Sequence, residues 1–391
     1  MRKFSPSKAI ERLPEQFFTS LGEKVQRIVA EGHDVINLGQ GNPDKPTSDR
    51  IKSALQEASK NPINDKYSPF HGFATTRQAV ADFYKKTYDV DLNPDKEVAL
   101  MFGSKIGLFE VVQCLLNPGD AAFLPDPGYP DYLAGLSLAN VEPIYMPLLE
   151  ENGFLPNYEK IPSTDLDRAK LMFLNYPNNP TTGVATPDFF EETVSLAKKH
   201  DICVVHDFAY GGIGFDGIQQ PSFLSTDGAK DIGIEMYSFS KSFNMAGWRM
   251  AFAVGNESVI KLINLIQDHM FTSIYGAIQE AAVVALTEEA GFIDEVVEVY
   301  EGRRNVLIES LREIGWQVEA PKGTFFCWFK VPEGYTSGEF ADLLLEKAHV
   351  VVATGDGFGE LGEGYVRIGL LDSEDRLREA AERIGKLGIF K

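Results

Sequence analysis

The sequence predicts an α/β protein in two parts: a large, mostly parallel sheet covered by helices on both faces, and a smaller α/β layer behind it. Three observations point there. The chain has 391 residues, more than one growing hydrophobic core accommodates. Short apolar runs alternate with amphipathic stretches through the first three-quarters of it, as strand–helix–strand units do. From about Gly291 the rhythm changes and a second set of elements follows.

The strand candidates of the first part are 98–102, 121–124, 171–175, 202–206, 234–238 and 250–254, each apolar and too short for a helix. Helical patterns such as 187–200 and 257–269 lie between them. The second part reads as a long helix over 292–314, a strand over 325–331, a helix over 337–349, strands at 350–353 and 365–370, and a closing helix from Glu374. The first residues read as an arm, with a helical pattern over 15–32, an apolar 35–38 and a turn-rich 39–44. This divides the chain into an arm (1–48) packing with the C-terminal layer, a large part (49–290) and a small part (291–391).

Composition narrows the function classes. A net charge of −20 argues against nucleic-acid binding, which needs a basic footprint. The longest uncharged apolar runs are far too short to span a bilayer, and the basic N-terminus has no apolar run behind it as a secretory leader would. Three scattered cysteines, Cys114, Cys203 and Cys327, read as reduced core thiols and place the chain in a reducing cytoplasm.

Three segments carry chemistry. Phe102-Gly103-Ser104-Lys105-Ile106-Gly107 is a small-residue turn between a strand and a helix; a helix start offers unpaired N–H groups to a phosphate, although a plain cap by Ser104 explains it as well. It lacks the lysine of a Walker loop. In Val204-Val205-His206-Asp207-Phe208-Ala209-Tyr210, an acid ends a buried strand, where open α/β sheets bind ligands, and an anion there needs a facing cation or donors. In Ser238-Phe239-Ser240-Lys241, strand alternation leads into a lysine among small hydroxyls and aromatics, with Arg249 downstream. Desolvation would lower the pKa of such an amine and suit it to a Schiff base with a carbonyl.

Taken in order, Gly103-Ser104-Lys105, Pro127-Gly128-Tyr129-Pro130, Asn178-Asn179-Pro180-Thr181, Asp207-x-x-Tyr210, Ser238-x-Ser240-Lys241 and Gly247-Trp248-Arg249 resemble the fold-type I aminotransferases of the aspartate aminotransferase superfamily (class I/II), which use pyridoxal 5'-phosphate. The resemblance runs from Gly41 to Arg367, and within the family it leans toward the methionine-regenerating enzymes of bacterial methylthioribose salvage. It implies a seven-stranded sheet, a homodimer with shared sites, an amino-acid and a 2-oxo-acid substrate, and no metal.

It also implies residue roles. Lys241 resembles the lysine that links the cofactor's aldehyde and moves the substrate proton; Asp207 would pair with the ring nitrogen, and Tyr210 and Asn179 with the phenolic oxygen. Tyr129 would stack on the ring. Arg249, Ser238, Ser240 and the backbone of Ser104 and Lys105 would hold the phosphate, joined by Tyr67 from a neighbouring subunit and, at lower rank, Thr272 or Ser273. Arg367 would clamp the substrate carboxylate beside Gly41. One departure stands out: Thr182 occupies the glycine place of Asn-Pro-Thr-Gly, and a positive φ there would strain it.

The expected donor is apolar or aromatic, methionine-like first. Dicarboxylate specialists carry a second arginine before the motif matched by Thr272-Ser273, whereas none occurs between Arg249 and Arg303. Expected pocket walls are Phe17 and Phe18 of the arm, Phe70, Tyr132, Phe325 and Phe326, a set that also suits ordinary core packing. The runner-up activity is a lyase or decarboxylase on the same fold. A nicotinamide oxidoreductase fares poorly: Gly357-Phe358-Gly359-Glu360-Leu361-Gly362 fits G-x-G-x-x-G but precedes a strand, not a helix. A serine acyl-enzyme lacks the partners of its S-x-x-K motif.

Overall fold

The computed structural model describes residues 2–14 and 17–390, with the backbone alone for 17–21. Among the described residues twelve strands follow in chain order: β1 (Ile36–Asn37), β2 (Val98–Met101), β3 (Ala121–Asp126), β4 (Glu142–Pro147), β5 (Ala169–Leu174), β6 (Cys203–Asp207), β7 (Gly233–Ser238), β8 (Ala251–Gly255), β9 (Phe326–Lys330), β10 (Val350–Val351), β11 (Ala353–Thr354) and β12 (Tyr365–Gly369). Seven of them form one sheet in the order β2-β8-β7-β6-β5-β3-β4. Neighbours are parallel except at β8, which runs against both β7 and β2.

Alternation along these strands builds two cores. On one face Val98, Met172, Val204 and Phe252 pack under the helices Ala74–Tyr88, Pro187–His200 and Gly276–Thr287. On the other, Ala99, Leu171, Val205 and Met236 pack under Ser104–Leu115, Tyr132–Ala139 and Glu257–Met270. Both faces are covered, which is why the central strands read as continuous apolar runs. The helices are locally specified as well. Pro187–His200 starts on a Thr186 cap that accepts from Phe189 N–H, has proline in its first turn, ends on Lys198, Lys199 and His200, and stops at left-handed Asp201.

The one strand of the seven-stranded sheet missing from the sequence reading is β4. It is an edge strand whose Glu142, Tyr145 and Pro147 are exposed, so it shows neither a buried run nor clean alternation. The expected 337–349 helix also differs: it is α-helical over Ser337–Leu343 and widens into a π-helical turn over Leu344–Ala348.

The C-terminal elements form an antiparallel sheet, β11-β12-β9, whose central strand places Arg367 opposite Trp328 and Ala353. Helices Phe292–Glu313 and Glu374–Gly385 pack with this sheet around a separate core. From the N-terminal segment, β1 pairs parallel with β10. Asp44 receives two bonds of 2.7 Å from Arg303, and Asp34 pairs with Arg376 and Arg383. These ties hold the Gly39–Gly41 turn against the C-terminal sheet, where Gly369 N–H donates to Leu38 O. Among the described residues no helix is long and apolar enough to cross a membrane.

Candidate active site

A cavity of about 440 Å³ opens beyond the C-terminal ends of β5, β6 and β7, the position at which open parallel sheets bind ligands. Its floor comes from three strand ends. β6 ends on Asp207, which is buried; its Oδ2 accepts from Tyr132 OH at 3.0 Å, while its Oδ1 is buried without a partner. Burial pushes the Asp207 pKa up to about 6, against the pull of Tyr132, His206, the Ala209 N–H and Lys241. Beyond β5, Asn175 ties the strand ends together: its Nδ2 donates to Asp207 O at 2.7 Å and its Oδ1 accepts from Asn179 N–H at 2.8 Å. Beyond β7, a single turn (Phe239–Ser242) delivers Lys241, whose Nζ donates to Gly41 O at 2.7 Å. Burial, with Arg367 and Arg249 nearby, lowers the Lys241 pKa to about 8.

One end of the cavity is shaped for an anion. Gly103 precedes the helix Ser104–Leu115 with φ 93°, and a Cβ on it would lie 2.2 Å from Arg249 Nη2, so the guanidinium rests on the glycine backbone. Gly103, not Ser104, is the cap residue, and no side chain caps this helix, which leaves its first N–H groups to a ligand. Arg249 donates to Ala246 O and makes no ion pair among the described residues. Ser238 Oγ accepts from Ser240 N–H, so its own hydroxyl hydrogen is available to donate.

The opposite wall comes from the arm turn and the three-stranded sheet. Arg367 is 1% exposed and donates to Asn179 Oδ1 at 2.8 Å and to Gly39 O at 3.0 Å. Its guanidinium lies 3.9 Å from the Phe326 ring centroid and 4.7 Å from that of Phe358. Burial lowers its pKa to about 10. A Cβ on Gly41 would meet Phe326 at 3.2 Å, so the turn passes close over this wall.

The structure therefore brings Gly41, Ser104, Lys105, Tyr129, Asn179, Asp207, Tyr210, Lys241 and Arg367 to one cavity. The Lys105 side chain pairs with Asp131 instead of turning inward. Arg249 reaches the same region through Gly103. Ser238 and Ser240 are buried at the turn that carries Lys241. Tyr67 is 87% exposed and contributes nothing to the cavity of its own chain. The Phe17 and Phe18 side chains lie outside the described residues.

Among the expected pocket walls whose side chains are described, only Phe326 lines the cavity. Phe325 is buried behind Lys241, its ring 5.3 Å from Nζ, and Phe70 is exposed on the surface. Tyr132 is not a substrate wall: it stands under Asp207, stacked on Phe173. Sequence reasoning missed Asn175 and the Tyr132 bond, and also Gly22, Val25, Asn37 and Gly39, which line the cavity from the arm. The glycine-rich 357–362 stretch is a pair of short 3-10 turns and opens no helix, so it is no dinucleotide loop. Thr182 does take a positive φ, of 61°. The thiols are free, although only Cys327 is fully buried.

These residues fit pyridoxal 5'-phosphate. The unpartnered Asp207 oxygen faces a site able to take a ring N–H, the glycine-floored cradle suits a phosphate, and the desolvated amine suits an aldehyde.

Comparison with known proteins agrees. The family model for class I and II aminotransferases matches residues 33–384. The chain is 59% identical over 388 residues to L-glutamine–4-(methylsulfanyl)-2-oxobutanoate aminotransferase of Bacillus subtilis, covering 99% of this chain and 98% of that protein. It is 46% identical to LL-diaminopimelate aminotransferase of Halothermothrix orenii, covering 96% of each. The substrate-bound structure of BacF from Bacillus subtilis superposes with a TM-score of 0.95 at 48% identity, covering 100% of this chain and 99% of that one. The two sequence relatives are aminotransferases by name, and none of these findings supports a lyase or decarboxylase. The chain belongs to the class I and II aminotransferases, and it is a pyridoxal 5'-phosphate-dependent enzyme of fold type I.

Proposed function

We propose that this aminotransferase exchanges the α-amino group of an apolar, methionine-like L-amino acid with a 2-oxo acid, by ping-pong chemistry at Lys241. The single observation behind the chemistry is that a lysine with a pKa near 8, a buried acid with one open oxygen and a buried arginine share one cavity. When bound, pyridoxal 5'-phosphate supplies an aldehyde for the amine and a ring that accepts the electron pair left as the α-proton departs. Lys241 Nζ would take the α-proton of the substrate and return it. Asp207 Oδ1, its carboxylate oriented by Tyr132, would face the ring nitrogen of the bound cofactor. Tyr210 and Asn179 would hydrogen-bond its phenolic oxygen, and Tyr129 would cover the ring. The N–H groups of Ser104 and Lys105, with Ser238, Ser240 and Arg249, would hold its phosphate. Arg367, beside Gly41, exchanges its neutral acceptors for the substrate carboxylate, which its fork matches with two bonds.

The substrate reading rests on the absence of any arginine between Arg249 and Arg303 and on the Val25 and Phe326 walls. A distal carboxylate there would be buried without a partner. The sulfur-containing oxo acid in the name of the B. subtilis relative points the same way. Methionine, phenylalanine, glutamine and aspartate compared by half-reaction rate over concentration test it; a lead for aspartate would sink the pocket reading.

The same reading makes the protein a cytoplasmic homodimer, with the chain divided into arm (1–48), large (49–290) and small (291–391) parts. Tyr67 then reaches the partner's phosphate, and its exposure beside exposed Phe70, Met270 and Tyr275 is what an isologous interface would cover. Mixing a Tyr67 variant with a Lys241 variant should restore about one good site per mixed dimer. Full activity in a monomer at low concentration excludes it.

A further inference from the structure

Directly behind the cavity lies a buried glutamate–histidine pair that the reaction as described does not use. Glu235 of β7 and His206 of β6 are both fully buried, with His206 Nδ1 2.7 Å from Glu235 Oε2. Three donors converge on the Glu235 carboxyl group beside the imidazole: Tyr84 OH at 2.8 Å and Ser222 OH at 2.7 Å on Oε1, and Phe223 N–H at 2.8 Å on Oε2. The other imidazole nitrogen, Nε2, lies 3.1 Å from Tyr176 O, an atom that only accepts, so Nε2 carries a hydrogen. Nε2–H therefore donates to Tyr176 O whether the proton shared with Glu235 sits on Nδ1 or on the carboxyl group. The rings of Phe190, Phe208 and Phe223 pack around the imidazole.

A buried pair of this kind adds little to stability compared with apolar side chains of the same shape, because desolvation offsets the attraction. Its value lies in what it holds. The β5–β6 ladder stops at Leu174 opposite His206. Beyond that point two side-chain bonds continue it: His206 Nε2 to Tyr176 O, and Asn175 Nδ2 to Asp207 O. Tyr176 opens the loop that carries Asn179, and Asn179 in turn holds Arg367. His206 precedes Asp207 and points to the opposite sheet face.

We propose that the Glu235–His206 pair is a positioning element for the cofactor site, locking the ends of β5 and β6 through the His206–Tyr176 bond so that Asn179 and Asp207 face the cofactor in register. This inference rests on the assignment of Asp207 and Asn179 to the cofactor site.

Two variants that differ in one donor test it. In Glu235→Gln the histidine keeps its Nε2–H on Tyr176 O. In Glu235→Gln/His206→Leu that donor is gone and no charge is left unpaired. The dissociation constant for pyridoxal 5'-phosphate and the absorbance spectrum of the bound cofactor are the readouts, with melting temperature recorded alongside. The expectation is a constant within about 2-fold of the parent for the single variant and about 10-fold weaker, with a changed spectrum, for the double. Equal constants and spectra for the double variant and the parent overturn the proposal. A second arm uses the unmodified holoenzyme: ring-nitrogen NMR of labelled histidine should show a proton on His206 Nε2, and an unprotonated Nε2 overturns the proposal even if neither variant folds. Asp207→Ala serves as the control. If that change leaves cofactor affinity untouched, the site assignment fails; if it weakens binding while the double variant does not, only this inference fails.

Discussion

The wall that the seven-stranded sheet presents to the cavity and the wall facing it from the arm and the three-stranded sheet hold their charges in different ways. On the first, Asp207 closes its strand and Lys241 lies just past the end of its own, and burial moves both toward neutrality, to pKa values of about 6 and 8. On the second, Arg367 sits in the middle of a central strand, fixed by pairing on both sides and packed against the rings of Phe326 and Phe358. Its pKa, about 10 after burial, leaves it charged at any working pH. Groups that must gain and lose protons stand at strand ends, where local geometry can tune them. The group that must only recognise is built into the ladder, where it cannot drift.

Removing the nucleophile of the first wall should have the largest effect. Lys241→Ala is expected to lower kcat by about 10⁴-fold or more, since it deletes both the covalent link and the proton carrier. The variant should still bind the cofactor, through the Arg249–Gly103 cradle, but without a borohydride-reducible bond to protein. A reducible bond surviving in that variant, seen by mass spectrometry, would move the linkage to another lysine.

The second wall should respond in binding alone. Arg367→Lys keeps a charge but loses the fork, and it should lower kcat/KM for the amino acid by about 100-fold, or about 3 kcal/mol. The cofactor spectrum and affinity should stay as they were. A spectral change in Arg367→Lys would mean that the two walls are not separable in this way.

A pH experiment reaches the tuned amine directly. In the cofactor-free protein the ε-amine of Lys241 is protonated below about pH 8 and neutral above it. Its reaction with an aldehyde probe should therefore rise about 10-fold from pH 7 to pH 9 and then level off. An ordinary lysine, with a pKa near 10.4, would keep rising through that range without a plateau. A continued rise would show that burial does not depress this amine.

Legibility in the sequence followed the same division. The first wall was readable because its chemistry sits in short segments at strand ends, so Asp207, Tyr210, Ser238 and Lys241 announce themselves with their strands. The central strands read easily as well, being buried on both faces. Edge strand β4 did not, since Pro143, Pro147 and exposed Glu142 hide it, and the reversed direction of β8 has no local sign. Tyr132 beneath Asp207 was misread as a pocket wall because the bond joins residues 75 positions apart. Gly22 and Val25 escaped for the same reason: their place at the cavity depends on how the arm docks, through Asp34, Asp44 and β1, and not on their own neighbours in sequence.

The smallest expected effect concerns the rim where the two walls touch, the loop that carries Asn179. Thr182 follows it with φ 61°, a conformation that crowds a β-branched side chain. The loop enforces it: Thr182 N–H donates to Asn178 O, Asn178 N–H to Gly183 O, and Thr181 Oγ bonds to Asn178 Oδ1. Strain of this kind costs about 1–3 kcal/mol, and glycine would relieve it. Glycine also gives the unfolded chain more freedom, which returns about 0.4–1 kcal/mol. The balance favours Thr182→Gly by about 1 kcal/mol, or a melting temperature higher by about 1–2 °C for a chain of this size. Because Asn179 N–H and Oδ1 keep their bonds to Asn175 and Arg367, kcat/KM should change by less than about 2-fold. A lower melting temperature would show that the threonine makes a stabilising contact outweighing its backbone strain. Unchanged stability with altered KM would show instead that the strained turn sets the distance between Asn179 and Arg367, and that the walls are coupled at their rim.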